Sequence, residues 1–313
     1  MTVRIRRTIC LLAFVILSIP IGANARNNCD RNCLTDFANR YLAALQAHDP
    51  SRLPVRSDLK FTENTVQLNL GEGLWQTITS VEPYRLYVAD PTMGQIGYFG
   101  VVTEHGTTNV FAVRLKIVDN KIGEIESMVS RNNPFIEPAN LKSPRSGLLQ
   151  PLSAAERVSR AQLIDAANRY FEGIEQATDK IVPFSDDCTR MENGVFTAGR
   201  PVAGLKPRGD TELVPCKKQF ELGAFYATSV APRRFPVVDE ERGLVMAVAA
   251  LNVPATRTTL KLSDGTTQKA SGWALVPFTG PLMEVFKIKG GKIHEIEAVM
   301  MPLLPYKSKT GWE

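Results

Sequence analysis

The sequence predicts an α+β protein built from two copies of one unit, and three observations support this prediction. The 313 residues are enough for about two domains at roughly 150 residues each. Blocks of sequence recur in the same order in the two parts of the chain. Each copy opens with the pattern of an amphipathic helix and closes with the alternating patterns of antiparallel strands, which is typical of α+β units.

The recurring blocks keep their order along the chain, while the distance between matching residues grows twice. At a distance of 129 residues, Asn39-Arg40-Tyr41 matches Asn168-Arg169-Tyr170, and Glu63-Asn64 matches Glu192-Asn193. At 149 residues, Glu72 matches Glu221, Arg85 matches Arg234, and Asp90 matches Asp239. At 171 residues, Lys116-Ile117 matches Lys287-Ile288, and Glu124-Ile125-Glu126 matches Glu295-Ile296-Glu297. This order indicates a duplication with two insertions in the second copy, one between Asn193 and Glu221 and one between Gly243 and Lys287.

Each copy begins with a helix and ends with a hairpin. Apolar residues recur every three or four positions over 34–45 and again over 163–174, which predicts one apolar helix face in each copy. Alternating apolar and polar residues over 111–129 predict two strands joined by a turn at Asp119-Asn120. Gly290-Gly291 predicts the equivalent turn of the second copy.

Residues 1–25 have the pattern of a secretory signal peptide. Three arginines within the first seven residues precede an apolar run over 9–21, and Ala23-Asn24-Ala25 matches a cleavage site. The run of about 13 residues is shorter than the ~20 that a membrane-spanning helix needs. We therefore predict cleavage after Ala25 and a periplasmic or secreted protein without membrane association afterwards; an uncleaved anchor is the alternative interpretation.

The remaining chain divides at a stretch rich in turn-forming residues. Prolines, serines and a glycine cluster over 134–155, as is usual for a linker. We therefore assign 26–133 to the first domain, 134–155 to the linker, and 156–313 to the second domain with its insertions.

Charge and motifs exclude several classes of function. Loss of the signal peptide removes three of the positive charges behind the formal net charge of +5 and leaves +2. This is too little to indicate a nucleic-acid partner. Phosphate-binding loops, dinucleotide fingerprints and nucleophile elbows do not occur in the sequence, so we predict no cofactor. The three histidines lie far apart in sequence and no Cys-x-x-Cys occurs, so we also predict no metal site.

Four cysteines remain after cleavage, an even number that favours disulfides in an exported protein. Cys188 and Cys216 flank a stretch rich in glycine and proline, where a bridge would close a long loop. Cys29 and Cys33 can pair at the start of the first helix. The two crossed pairings remain open on the sequence alone.

A family resemblance follows from these motifs. A leading helix with Arg-Tyr, a later Asp, and Glu-Asn in the next strand resemble the NTF2-like superfamily, which includes ketosteroid isomerase and SnoaL-like cyclases. Residues 186–194 (DDCTRMENG) resemble the SnoaL-like pattern, and residues 233–243 (RRFPVVDEERG) resemble secreted double-domain NTF2-like proteins. The resemblance implies two tandem cones, each with helices on a curved antiparallel sheet. It further implies that the cones pack as an intramolecular pseudo-dimer, and a homo-oligomer remains open.

The resemblance also suggests where chemistry could occur. In ketosteroid isomerase a helix tyrosine donates to the oxyanion and a strand Asp is the base; Tyr41 and Tyr170 match the tyrosine. The base position falls on an asparagine, Asn64 or Asn193, which cannot accept a proton. A shift of one residue would turn Glu63 or Glu192 inward instead, because successive strand side chains face opposite sides. The alternative interpretation is that these residues recur because both copies need them to fold.

Residues that are not duplicated are further candidates, because a requirement of the fold should appear twice. Glu284 replaces Val113 on an apolar strand face, where burial would raise the pKa of its carboxyl as a general acid or base requires; an exposed Glu284 is the alternative. Trp75 could line the mouth of the first cone and stack on a ligand, or pack in the core.

Charged residues near the second copy's first long strand form another candidate group. Arg234 could hold an anionic oxygen with Asp239 fixing its orientation, or the two could form a structural ion pair. The glutamates of the repeated Glu-Ile-Glu blocks alternate with isoleucines, which predicts solvated strand faces.

These observations predict a cofactor-independent acid–base enzyme, a lyase, dehydratase or isomerase acting on a small oxygenated compound, aromatic or derived from a sugar. We place the reaction in the second cone, whose insertions could form a lid. The predicted catalytic residues are Tyr170, Glu192, Glu284, Arg234 and Asp239, and the predicted substrate-binding residues are Tyr41, Glu63, Trp75 and Asn193. The alternative is a periplasmic module that binds a small molecule, or acts as a scaffold, without turnover.

Overall fold

The computed structural model of the protein describes residues 29–131, 133, 135–199, 213–300 and 303–313. The predicted signal peptide, 1–25, lies outside the described residues. Residues 200–212 of the first insertion also lie outside them, so the first of the two insertions predicted to form a lid is described only in part.

The first half of the chain is a helix packed on a six-stranded sheet. Its elements in chain order are α1 (Arg31–Gln46), β1 (Val55–Glu63), β2 (Val66–Gln67), α2 (Leu74–Thr77), β3 (Ile78–Asp90), β4 (Gln95–Glu104), β5 (Thr107–Val118) and β6 (Lys121–Ser130). The strand order is β2-β1-β6-β5-β4-β3. Neighbouring strands are antiparallel except β1 and β6, which are parallel. Register shifts within β3 and β4 bend the sheet.

The second half repeats this arrangement after a connecting segment that contains the short helix α3 (Ser146–Leu149). Its elements are α4 (Arg160–Gln176), β7 (Phe184–Glu192), β8 (Val195–Ala198), α5 (Cys216–Leu222), β9 (Ser229–Asp239), β10 (Leu244–Val253), β11 (Thr259–Lys261), β12 (Thr267–Lys269), a 3₁₀ helix (Gly272–Leu275), β13 (Phe278–Lys289), β14 (Lys292–Met300) and β15 (Leu304–Pro305). The main sheet has the order β8-β7-β14-β13-β10-β9, with β15 on β13. The prediction of an α+β chain with two tandem curved sheets is confirmed.

Local sequence explains the two leading helices. The Asp30 side chain accepts a hydrogen bond from the backbone of Cys33 and caps α1, and Ser159 and Gln162 form a reciprocal capping box at α4. The predicted apolar faces of both helices are buried against the sheets. Tyr41 and Tyr170 lie on these faces, so the repeat places each tyrosine inside its own half.

A third apolar cluster joins the two halves. It contains residues from the outer faces of both sheets, among them Leu86, Phe99 and Val101 of the first half and Met246, Met283 and Val285 of the second. The two sheets therefore bury these faces against each other, and the duplicated units share one continuous interface.

Reciprocal ion pairs cross this interface. Arg31 of α1 donates two hydrogen bonds of 2.6 Å to Asp239 at the end of β9. Arg160 of α4 donates to Asp90 at the end of β3, at 2.6 and 3.1 Å. The residues of one pair are the repeat equivalents of the other pair, so the contact has the self-complementary form of a two-fold dimer interface. Both aspartates are fully buried.

The structure contains the disulfides Cys29–Cys33 and Cys188–Cys216, which resolves the pairing that the sequence left open. The second links positions 28 residues apart, in β7 and at the start of α5. Two disulfides are compatible with a secreted protein. In the described part of the chain, no helix has both the length and the apolar character to cross a bilayer.

Candidate functional site

A cavity of about 510 Å³ opens in the second half, within the ~300–1,000 Å³ range of small-molecule pockets. Its polar lining residues are Asn133, Arg190, Glu192, Asn193 and Thr197. Its aromatic lining residues are Phe135, Phe225, Tyr226, Trp273 and Phe278. The remaining lining is apolar, so the few polar groups at one end would orient a ligand.

Arg190 of β7 is the central polar residue of the cavity. Its Nε donates to Thr197 at 2.9 Å, and its two terminal nitrogens donate to the Tyr170 hydroxyl at 3.2 Å and to Gln219 at 2.7 Å. The carboxylate of Glu192 lies 3.2 Å from Nε. Among the described residues, the three hydrogen bonds use three of the five N–H groups, so the guanidinium retains donors for a ligand.

Tyr170 and Glu284 lie behind Arg190, and both are 2% exposed. The Glu284 carboxyl lies near the Tyr170 hydroxyl and interacts with it electrostatically. Burial, and then the charge of Glu192, raise the pKa of Glu284 to about 8, although Arg190 opposes the shift. Burial also raises the pKa of Tyr170. Burial disfavours the charge of Arg190, but Tyr170, Glu192 and Glu284 together raise its pKa. Arg190 therefore stays charged beside a carboxylic acid that is mostly neutral at pH 7.

Comparison of the two halves explains why the second contains this cavity. By the repeat offsets, Arg190 replaces Phe61 and Ala224 replaces Trp75. Strand pairing gives the other two changes, because Glu284 lies opposite Ala247 just as Val113 lies opposite Tyr98. Phe61, Trp75, Tyr98 and Val113 are all buried in the core of the first half. Two large aromatic residues thus become alanines, and two apolar residues become an arginine and a glutamate.

The structure brings together three predicted catalytic residues, Tyr170, Glu192 and Glu284, around Arg190. Glu192 lines the cavity, whereas Tyr170 and Glu284 lie one layer deeper. Glu192 is the last residue of β7 and Asn193 lies in the turn that follows it, so both side chains reach the cavity and the two strand registers are not alternatives here. Asn193 lines the cavity, but its side-chain amide is occupied by the backbone of Met300: it donates to the carbonyl oxygen at 3.1 Å and accepts from the N–H at 2.9 Å. Asn64 bonds to Val129 in the same way, so the repeated asparagine serves the fold.

The predicted residues of the first half have mainly core contacts. Tyr41 and Trp75 are each 1% exposed and meet edge to face at 5.5 Å. Trp75 therefore packs in the core rather than at a cavity mouth. Glu63 accepts a hydrogen bond from the backbone of Leu74 and pairs with Arg131, at 2.8 and 2.9 Å. Burial raises the pKa of Glu63, and Arg131 opposes the shift.

Arg234 and Asp239 do not form the predicted pair. Arg234 donates to Glu126 of the first half at 2.5 Å, and Asp239 binds Arg31 instead. Both contacts cross the interface, because the face of β9 that carries Arg234 and Asp239 is turned toward the first half. Neither residue lines the cavity, so their predicted catalytic roles are corrected to interface roles. The prediction of solvated Glu-Ile-Glu faces is also wrong for Glu126 and Glu297, which the opposing half buries to 4% exposure.

Sequence reasoning missed Arg190 as a candidate. The signal was available, because Arg190 is not duplicated, and the same comparison that selected Glu284 would have selected it. Arg190 lies within the stretch 186–194 that resembles the SnoaL-like pattern, and only its alignment with Phe61 of the first copy shows that the arginine is particular to the second copy. In the described part of the chain, no cluster of three or more His, Cys, Asp or Glu residues could hold a metal ion.

The raised pKa of Glu284 predicts a specific dependence of stability on pH. Below about pH 4.5 the carboxyl is neutral in the folded and the unfolded chain. Between about pH 4.5 and 8 only the unfolded chain ionises fully, so the folded state loses about 1.4 kcal/mol per pH unit. Glu284→Gln removes this loss, so the variant should gain stability relative to the unmodified protein as the pH rises across this range.

Denaturant unfolding at several pH values between 5 and 8 measures the effect. Glu240→Gln is the matched control, because Glu240 is exposed and its removal should shift the stability without this pH dependence. Parallel stability curves for Glu284→Gln and the unmodified protein would show that Glu284 ionises normally.

Comparisons with known proteins give the family but no activity. One similar solved structure is the crystal structure of a de novo designed protein with a curved β-sheet; the match has 15% sequence identity, covers 33% of this chain and 88% of that chain, and has a TM-score of 0.28. No curated protein matches the chain. The family model described as "Domain of unknown function (DUF8021)" matches residues 27–129 and 156–300. Because these segments include most of the sequence and correspond to the two halves, the chain belongs to the DUF8021 family.

Proposed function

We propose that the two halves are NTF2-like cones and that the second is a cofactor-independent acid–base enzyme. Its substrate would be a small oxygenated compound, and the reaction an isomerisation or an elimination by a lyase or dehydratase. The repeated order of a leading helix and a bent, mostly antiparallel sheet supports the cone. The protein would act after export, for which the two disulfides are suited.

The observation that carries the proposal is the Arg190–Glu192 pair at the polar end of a mainly apolar cavity. Glu192 is the carboxylate with access to the cavity, and its side chain is 29% exposed. A general base must come within hydrogen-bond reach of the proton it removes. A ligand in the cavity can approach both the carboxylate and the guanidinium, so the base and the stabilising charge act on one molecule.

The chemistry follows from this pairing. Glu192 accepts a proton from a carbon next to a substrate carbonyl, and the electrons of the C–H bond move onto the carbonyl oxygen. Arg190 donates N–H bonds to the resulting enolate oxygen. Return of the proton to a different carbon completes an isomerisation. Loss of a leaving group from the neighbouring carbon, with the proton passing to that group, completes an elimination.

Tyr170 and Glu284 act through Arg190 and are positioning residues. The Tyr170 hydroxyl accepts a bond from the Arg190 guanidinium, which fixes the direction of the remaining N–H groups. This role differs from the direct donation to an oxyanion that the sequence suggested. Because Glu284 is mostly neutral at pH 7, it leaves Glu192 as the counter-charge of Arg190.

Proton abstraction can be tested with 5-nitrobenzisoxazole, a flat aromatic compound. A base removes its C3 proton, the N–O bond breaks, and the electrons form a nitrile and a coloured phenolate. We expect the unmodified protein to accelerate this elimination and Glu192→Gln to lower kcat/KM by about 10²–10⁴-fold, the usual contribution of a general base. The phenolate absorbance gives the rate.

Glu63→Gln is the matched control, because Glu63 is the repeat equivalent of Glu192 and pairs with Arg131 in the first half. It should leave the rate unchanged. Equal rates for Glu192→Gln and the unmodified protein would contradict the proposed chemistry and favour the alternative, a cavity that binds without turnover.

A further inference from the structure

We infer that the cavity of the second half takes an uncharged, flat aromatic or conjugated carbonyl compound, with its ring against Trp273 and its oxygen at Arg190. This inference rests on the proposed function and specifies its substrate class. Three features of the cavity support it: the aromatic wall, the balance of charge, and the origin of the rim.

The aromatic wall provides a surface for a flat ring. Trp273 meets Tyr226 at 6.1 Å and Phe278 at 5.5 Å, with interplanar angles of 85° and 82°. These edge-to-face contacts hold the indole while leaving it 47% exposed. Aromatic pairs of this geometry are favourable in themselves, so the indole is fixed before a ligand arrives. A second flat ring can therefore stack on its free surface with little loss of side-chain freedom.

The charges at the polar end sum to zero. Arg190 is positive, Glu192 beside it is negative, and Glu284 behind them is mostly neutral at pH 7 because burial raises the pKa of its carboxyl to about 8. A carboxylate ligand would bring a second negative charge next to Glu192 in a largely apolar cavity, and desolvation of that charge is unfavourable. A carbonyl oxygen can accept from the free N–H groups of Arg190 without this penalty.

Tyr226 belongs to the aromatic wall and not to the polar end. Its ring lines the cavity, whereas its hydroxyl is buried and has almost no accessible surface. The hydrogen bonds to a ligand oxygen therefore come from Arg190, which lines the cavity.

The rim of the cavity comes from segments outside the repeated helices and strands. Trp273 belongs to the second insertion, Phe135 to the connecting segment, and Leu303 to the C-terminal segment, and each is at least 37% exposed. The duplication alone therefore does not produce this rim. The added segments bring apolar surface to the mouth, which suits a ligand that enters from water with little charge.

Three naphthalene probes of nearly equal size test the inference: 2-acetylnaphthalene has a carbonyl, 2-naphthoate has a carboxylate, and 2-ethylnaphthalene has no oxygen. Calorimetric titration gives each Kd. We expect the ketone to bind at least about tenfold more tightly than the hydrocarbon, because hydrogen bonds to charged donors are worth that much or more. We expect the carboxylate to bind more weakly than the ketone.

Variants separate the contributions of the individual residues. Trp273→Leu should weaken all three probes by similar factors, whereas Leu275→Ala, at an exposed neighbour outside the cavity lining, should weaken none. Tightest binding by 2-naphthoate, or equal binding of ketone and hydrocarbon, would overturn the inference.

Binding and turnover distinguish this inference from the proposed function. If 2-naphthoate binds best while Glu192→Gln abolishes turnover of 5-nitrobenzisoxazole, the ligand class is wrong and the acid–base function stands. If the ketone binds best while Glu192→Gln leaves turnover unchanged, the ligand class stands and the enzyme function is wrong.

Discussion

Arg190→Phe, which introduces the residue of the first half at this position, is expected to lower the free energy of unfolding by about 3–5 kcal/mol, as loss of one partner from a buried ionic cluster does. The change removes the hydrogen bonds of Arg190 to Tyr170, Thr197 and Gln219. It also leaves the carboxylate of Glu192 without its cation and the mostly neutral carboxyl of Glu284 buried beside an apolar ring. Denaturant unfolding measures the loss.

Glu284→Val introduces the residue that the first half has at the equivalent position, Val113. The decisive comparison is with the double variant that carries both Arg190→Phe and Glu284→Val. Phe61 and Val113 are both buried in the first core and need no charge between them. A buried carboxyl beside an apolar ring is unfavourable, and replacing a buried polar cluster with well-packed apolar residues is often neutral or stabilising. We therefore expect the double variant to recover most of the stability that Arg190→Phe loses, with a coupling free energy of about 2 kcal/mol.

The control for this cycle is Arg190→Phe combined with Glu240→Gln, since Glu240 is exposed and lies in the turn between β9 and β10. Here the two effects should add. If the effects of Arg190→Phe and Glu284→Val on the free energy of unfolding also added, the two residues would not form one cluster.

Much of the fold could be predicted because the chain carries its architecture twice. The apolar spacing around Tyr41 and Tyr170 predicted the two helices, and the Asp119-Asn120 and Gly290-Gly291 turns predicted the closing hairpins. These are local patterns that a single segment can contain. Strand β1 pairs with β6 in parallel and joins distant parts of the chain, and no local pattern predicted that pairing.

The candidate site was predictable in part, for a related reason. Comparing the copies selected Glu284, because a lone glutamate on an apolar strand is unusual. The same comparison failed for Arg234 and Asp239. Their spacing is repeated by Arg85 and Asp90, which favoured a pair within one half, but Asp90 and Asp239 each bind an arginine of the other half. A repeated spacing cannot distinguish a contact within a copy from a contact between copies.

The first half supplies a direct way to close the cavity of the second. At the repeat offset, Trp75 corresponds to Ala224, which lines the cavity. Trp75 is buried in the core of its own half. Ala224→Trp should therefore place an indole where the ligand would lie, and the volume of about 510 Å³ can receive it without the strain of an overpacked core.

The central claim is that this cavity is the functional site, and Ala224→Trp tests it most directly when both elimination of 5-nitrobenzisoxazole and binding of 2-acetylnaphthalene are measured. Ala224→Ser is the control that leaves the space open, and Ala224→Leu is a smaller filler should the indole disturb folding, which circular dichroism and Tm would reveal. We predict that Ala224→Trp loses both activities at an unchanged Tm, that Ala224→Leu weakens both, and that Ala224→Ser retains both. Full binding and turnover in a folded Ala224→Trp protein would contradict the claim.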